Sequence, residues 1–287
     1  MPITILQLIV LGLVQGAAEL LPISSSAHVI VAEKLMGIDP SSPEATFLLI
    51  MLHTGTMFAV IAYFWSAWRQ NYFSSAERFW SVAKLVIVAT AFTGVITLGL
   101  KKVIEKLFLA GVGSGDIEEL FGRLPLIAAA LAVGGIFIIV AGRRRADPAE
   151  DLDVGLASAS WIGAIQGLLL PFRGCSRSGS TISTGLLLGI GRRRAEEFSF
   201  ALAVVLTPPL VLRELRRLLK PHAAETAPHH LAHLLGPGLL GMVCSFVAGL
   251  LALRLLSRWL ESGRWAYFGY YCLAAAAIVF ALAAAGF

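Results

Sequence analysis

The sequence predicts an all-α polytopic membrane protein with about six transmembrane helices and two re-entrant helix pairs arranged as an inverted-topology repeat. Three observations carry this expectation. Of the 287 residues, 57% are hydrophobic and only 14% charged, and the mean hydropathy is +0.79. Soluble domains carry about 25% charged residues, and a soluble core this apolar leaves too little polar surface to cover itself. Long runs of the chain contain no charge. Two further apolar stretches are broken by polar clusters, and these two resemble each other.

The charge-free runs are Ala45–Trp68, Leu124–Gly142, Leu234–Leu253 and Trp265–Phe287. At about 1.5 Å per helical residue, each crosses roughly 30 Å of hydrocarbon. Phe79–Leu100 is similar, with Lys84 near one end where it can snorkel. Phe198–Leu212 is shorter and holds Pro208 and Pro209, so a broken or kinked span is expected there. The first odd stretch, Met1–Ala32, is interrupted by Glu19, Pro22, three serines and His28. The second, Val154–Gly191, is interrupted by Pro171, Arg173, Gly174 and the run from Cys175 to Thr181. Irregular backbone at membrane depth needs burial in protein or a wet cavity, so both read as broken, re-entrant helices.

Gly12-Leu-Val-Gln-Gly16 matches Gly163-Ala-Ile-Gln-Gly167, and each leads through leucines and a proline into a serine cluster. Three spans follow each copy, so the copies enter the membrane from opposite faces and meet near its midplane. The chain is therefore expected to be one integral membrane domain built from two repeats. Residues 1–142 form the first (broken motif 1–37 plus three spans) and residues 154–287 the second (broken motif 154–191 plus three spans).

The formal net charge of +5 comes from short basic clusters between apolar runs, which suits loops and headgroups and excludes a nucleic-acid face. Loop charges favour neither orientation. Cys175, Cys244 and Cys272 are far apart and odd in number, so they read as free. No Lys or Arg precedes Lys34, so no cleavable signal peptide is expected. His229, His230 and His233 have near-metal spacing but sit in a Pro-bounded loop, and His53 is either a partner of the site or a core histidine. Arg192-Arg193-Arg194 with Glu196-Glu197 reads as a solvated loop at a membrane face, and Arg213, Arg216, Arg217 and Lys220 as a helix end among headgroups.

Ionisable residues inside membrane segments are costly and point to function. Gln15 and Glu19 are four apart and share a helix face, where amide and carboxylate can hold a hard cation or orient a water. Ser24, Ser25 and Ser26 with His28 combine hydroxyls and an imidazole, the minimal nucleophilic constellation, although serines also cap helices. Arg173, Gly174, Ser176, Arg177, Ser178, Gly179 and Thr181 suit an anion cradle: glycines turn the backbone, hydroxyls donate, and Arg177 offers a bidentate fork. The run is neither a Walker A loop nor a cysteine-phosphatase loop. Together the two halves describe phosphoryl transfer on an amphiphile whose tail stays in lipid.

Gln15-Gly-Ala-Ala-Glu19, Pro22-Ile-Ser-Ser-Ser-Ala-His28, Ser176-Arg-Ser-Gly-Ser-Thr181 and Glu197-Phe-Ser-Phe-Ala-Leu-Ala203 resemble the motifs of the undecaprenyl-diphosphate phosphatases of the bacitracin-resistance (BacA) type. The resemblance runs over nearly the whole chain. It implies a multi-pass enzyme of the bacterial inner membrane whose site faces the periplasm, with a homodimer left open. The implied activity dephosphorylates undecaprenyl diphosphate and recycles the lipid carrier of peptidoglycan synthesis, with Mg²⁺ or Ca²⁺ as cofactor.

Carried over by position, Glu19, Ser25, His28 and Arg177 are the expected catalytic residues, with Glu19 the metal ligand. Gln15, Ser24, Ser26, Arg173, Gly174, Ser176, Ser178, Gly179 and Thr181 are the expected substrate-binding residues. The chain departs from the pattern at Gln15, often Glu in the family, at Ala27, often Gly, and at the Phe172-Arg173 stretch. Two mechanisms stay open, attack by Ser25 with His28 shuttling the proton, or attack by water. A lipid-phosphate or anion transporter with inverted repeats is the alternative function.

Overall fold

A computed structural model describes residues 3–39, 42–108, 123–144, 152–218 and 228–286 of the chain. The described residues form ten helices and no strand. In chain order they are α1 (Ile5–Leu20), α2 (Ser25–Leu35), α3 (Pro43–Asn71), α4 (Ala76–Phe108) and α5 (Leu124–Arg143), then α6 (Leu156–Leu169), α7 (Arg177–Leu187), α8 (Arg192–Leu218), α9 (Pro228–Glu261) and α10 (Ala266–Ala284). Each half of the chain runs short, short, long, long, long. The lengths are 16, 11, 29, 33 and 20 residues, then 14, 11, 27, 34 and 19.

Six helices are long and apolar enough to cross a membrane, α3, α4, α5, α8, α9 and α10. Their outward faces carry large apolar side chains such as Val95, Trp80 and Ile278, which are more than half exposed. An apolar surface of this extent is the expected boundary of a lipid-facing bundle. Of the broken or kinked span expected at Pro208 and Pro209, the break is absent, because α8 continues through both. Membrane helices tolerate proline where hydroxyls and neighbours adjust, and Thr207 donates to the Ala203 carbonyl in the preceding turn.

The short helices come in pairs whose far ends meet. Gln7, in the first turn of α1, donates to the Met36 carbonyl just past α2 at 3.1 Å. Leu152, before α6, forms a bridge with Ile190 after α7. Each pair thus leaves from and returns to one place.

Glycines set where the pairs pack. A Cβ on Gly16 would strike the Ser245 carbonyl of α9, and one on Gly163 would strike the Ala89 carbonyl of α4. So α1, from the first half, lies against α9 of the second, and α6, from the second half, lies against α4 of the first. Small residues at this spacing let two backbones approach, and threonine hydroxyls then bridge them: Thr93 and Thr97 donate to the Gly163 and Gly167 carbonyls at 3.0 Å each. Gly135 of α5 and Gly269 of α10 meet each other reciprocally. The halves are interleaved rather than set side by side.

Glu196 and Glu197 are not on a solvated loop. They lie in the first turns of α8, each 2% exposed. Ser257 of α9 donates to Glu196, while Asn71 at the end of α3 and Arg193 donate to Glu197 at 2.9 and 3.1 Å. The motif order, three arginines followed by two glutamates, lets the arginines stay outside while the carboxylates turn inward one helical turn later.

Beside them Asp153 accepts from Arg78 at 2.8 Å and pairs with Arg194 at 3.1 Å. Partial burial pushes the Asp153 carboxyl up. The hydrogen bonds from Arg78 and Val154 and the charge of Arg194 more than reverse this and hold it below the usual carboxylate range. Arg192 and Arg193 lie at this same helix end. The side chains of His229, His230 and His233 lie outside the described residues.

Candidate active site

Glu19 sits in the last turn of α1, and Ser25 opens α2 after four intervening residues. The chain between them reverses through Pro22 and Ser24. Ser24 has φ 69° and ψ 96°, and among the described residues it alone of the non-glycines has a positive φ. A non-glycine residue held in this region is strained and persists where its surroundings fix it. In the second half Ser176 caps α7, its hydroxyl accepting from the Gly179 amide at 3.1 Å. Gly174, in the link before it, has φ +111°, and a Cβ there would meet the Ile127 carbonyl.

The two reversals are counterparts. Ser24 precedes α2 as Ser176 precedes α7, and each touches the serine two residues on, Ser24 with Ser26 and Ser176 with Ser178, both at 3.2 Å. By this correspondence Ser25 in the first half stands where Arg177 stands in the second. Both residues converge on Glu19. Ser25 donates its hydroxyl proton to Glu19 Oε2 at 2.6 Å. Arg177 Nη2 donates to Glu19 Oε1 at 3.0 Å. Gln15 Nε2 adds a contact to Oε2 at 3.3 Å, as its place one turn earlier predicts.

Arg177 is half spent. Its Nη1 is buried with no partner, one of three such side-chain atoms among the described residues. A buried guanidinium nitrogen without an acceptor is costly, and an anion beside Glu19 would satisfy it. The first amides of α2 and of α7 have no acceptor within their own helices, and both N-termini end here. The chemistry on offer is a hydroxyl on a carboxylate, beside an arginine with a free donor and two helix N-termini.

The other expected residues divide. Ser178 reaches across to the Leu21 carbonyl at 3.4 Å, and a Cβ on Gly179 would press on the side chains of Pro22 and Ile138. Thr181 turns away, pairing with Ser199 of α8 at 2.6 Å. Arg173 lies within electrostatic range of Glu33, a buried carboxylate on α2. His28 does not meet Ser25: its Nδ1 is 2.8 Å from the Ser24 carbonyl and its Nε2 is 2.8 Å from the Tyr271 hydroxyl.

Two residues join the site that the motifs did not settle. His53, on α3, brings Nε2 to 3.8 Å from Glu19 Oε2, an ion pair when the ring carries both protons. Tyr271, on α10, was hidden in a charge-free run. A tyrosine near a span's end usually marks the membrane boundary, so nothing local distinguishes it.

A family model described as Bacitracin resistance protein BacA matches residues 8–278. Undecaprenyl-diphosphatase 2 of Acinetobacter baylyi is 57% identical over 281 residues, covering 97% of this chain and 98% of that protein. Undecaprenyl-diphosphatase of Desulfosudis oleivorans is 33% identical over 286 residues, covering 93% and 94%. That of Rhodopirellula baltica is 31% identical over 285 residues, covering 96% of each. With Glu19, Ser25 and Arg177 gathered in one site, and the family model and relatives matched over nearly the whole chain, the chain belongs to the bacitracin resistance protein BacA family.

Proposed function

We propose that the protein hydrolyses undecaprenyl diphosphate to undecaprenyl phosphate in the bacterial inner membrane, from a site facing the periplasm. The monophosphate then returns to peptidoglycan synthesis, which is the route to bacitracin resistance. The observation that carries this reading is Glu19 held between Ser25 and Arg177, one from each broken motif. A nucleophile hydrogen-bonded to its base, beside a cation with a free donor, fits attack on a phosphoanhydride. A carrier that only binds a lipid phosphate has no use for a carboxylate at that place.

Arg177 Nη1 and the amides opening α2 and α7 take up the terminal phosphate oxygens. Ser25 Oγ attacks the terminal phosphorus as the bond to the bridging oxygen breaks, and its proton passes to Glu19. Undecaprenyl phosphate leaves with the electron pair of that bond. Water then attacks the phosphoserine and gives its proton to His28, while the departing Ser25 oxygen recovers a proton from Glu19. Ser25 rather than water as first nucleophile is favoured by the 2.6 Å contact with Glu19.

Among the described residues no three His, Cys, Asp or Glu side chains cluster as a metal cage. One carboxylate and an amide nevertheless suit a cation shared with the substrate, since Mg²⁺ commonly binds through one or two carboxylates plus phosphate oxygens. Glu19 and Gln15 would hold it. Bound there, Mg²⁺ or Ca²⁺ would neutralise charge on the diphosphate.

The test is phosphate release from undecaprenyl diphosphate by purified protein in detergent, with and without EDTA. Glu19→Ala and Arg177→Ala, each checked for folding, should lower turnover by about 10³-fold or more. Folded wild-type protein that releases no phosphate with added cation overturns the reading. Ser25→Ala with near-normal turnover would transfer the attack to water.

A further inference from the structure

His28 is held by two partners, and their chemistry fixes its proton. The Ser24 carbonyl can only accept, so Nδ1, at 2.8 Å from it, bears the hydrogen of the neutral ring. Nε2 is then the nitrogen with the lone pair. The Tyr271 hydroxyl lies 2.8 Å from Nε2 and donates to it. The two rings lie nearly parallel, with centroids 5.6 Å apart and planes 15° from parallel.

Both partners are themselves anchored. The Ser24 carbonyl is presented by the strained turn at that residue. Tyr271 rides on α10, which is locked to α5 where Gly135 and Gly269 meet. The next residue, Cys272, donates from Sγ to the Pro22 carbonyl in the first motif's reversal, at 3.4 Å. The hydroxyl of Tyr271 is therefore brought to the site by a contact between α10 and the turn that carries Ser24 and Ser25.

We infer that Tyr271 is a positioning residue for His28: it aims the imidazole and keeps Nε2 as the proton-accepting nitrogen. This rests on the phosphatase reading above, in which His28 takes the proton of the attacking water. The Tyr271 hydroxyl occupies, in the free site, the direction from which Nε2 can receive a proton. A water taking that place during turnover would meet a lone pair already pointed at it. Such pre-alignment acts on the chemical step and not on substrate binding.

The test uses Tyr271→Phe, which keeps the ring and removes only the hydroxyl. Wild-type and variant proteins, labelled with ¹⁵N-histidine and with the His28 signals assigned through His28→Asn, are compared by NMR alongside steady-state kinetics. The expected spectrum of the wild type shows Nδ1 protonated and Nε2 unprotonated, with the Nε2 resonance displaced in Tyr271→Phe. The expected kinetics are a fall in kcat of about tenfold with KM changed by less than about twofold. An unmoved Nε2 resonance, an unchanged kcat, or a raised KM with kcat preserved overturns the inference. Should the variant fail to fold, the wild-type spectrum decides alone, and a proton on Nε2 of the neutral ring overturns it. Wild-type protein with no phosphatase activity would remove the functional reading, while the spectra would still report on the Tyr271–His28 bond.

Discussion

Glu19 has its two oxygens divided between the halves of the molecule: Oε1 faces Arg177, while Oε2 faces Ser25 and Gln15. That division makes Gln15 informative. Its amide donates to Oε2 at 3.3 Å, so replacing it with a carboxylate would set two like charges at that distance. A divalent cation relieves such repulsion and gains a second charged ligand. Gln15→Glu should therefore lower the Mg²⁺ concentration for half-maximal phosphate release by about tenfold or more, and reduce the activity that survives EDTA. A Mg²⁺ titration indistinguishable from wild type would remove Glu19 and Gln15 as the cation's place.

Most of this constellation was legible in the sequence, because Glu19, Ser25 and Arg177 are each chemically out of place in an apolar stretch. Tyr271 was not, since it is 243 positions from His28 and a tyrosine in a membrane helix has an ordinary explanation.

The elements are positioned by close approach rather than by bulk. A Cβ on Gly163 would fall into the Ala89 carbonyl, and neither backbone can move without separating α6 from α4. Gly94, on the same α4, has nothing within 4 Å of its Cβ position. Gly163→Ala should therefore destabilise by about 1–3 kcal/mol, as overpacked sites do. Gly94→Ala should be neutral or stabilise by up to about 1 kcal/mol, through helix propensity alone. Thermal unfolding of both variants in one detergent checks this, with a lowered Tm expected for Gly163→Ala and an unchanged or raised one for Gly94→Ala. Equal shifts would mean that the α4–α6 contact carries little of the fold.

The sequence showed two glycine pairs in repeated surroundings and so a repeat, but a repeat does not say which helix each pair packs against. It also misplaced Glu196 and Glu197. Beside three arginines they read as solvated, whereas their partners Ser257 and Asn71 come from α9 and α3, far away in the chain.

At the scale of the whole molecule, the repeat is expressed as exchange. Each short pair packs on a long helix of the opposite half, α1 on α9 and α6 on α4, and the third long helices of the halves meet glycine to glycine. If each pair enters the bilayer and returns, the two halves insert with opposite sense and their broken ends converge near the midplane, as inverted repeats do. The contact of Gln7 with the Met36 carbonyl and the Leu152–Ile190 bridge both favour return over crossing. Crossing would put Thr4 and Lys34 on opposite faces, and return puts them on the same one.

Single cysteines at Thr4 and Lys34, both exposed, should therefore react with a membrane-impermeant maleimide from one side of oriented vesicles. Cysteines at Ser74, after α3, and at Ser262, after α9, should react from the other side. Native Cys175, Cys244 and Cys272 give the background to subtract. Labelling of Thr4→Cys and Lys34→Cys from opposite faces would make α1 and α2 a single broken span. The reversal at Ser24 would then be a kink in a crossing helix, with no opposed partner from the second half. The convergence of Ser25 and Arg177 on Glu19 accords with the first outcome, because it brings the starts of α2 and α7 to one carboxylate, as two opposed re-entrant pairs would.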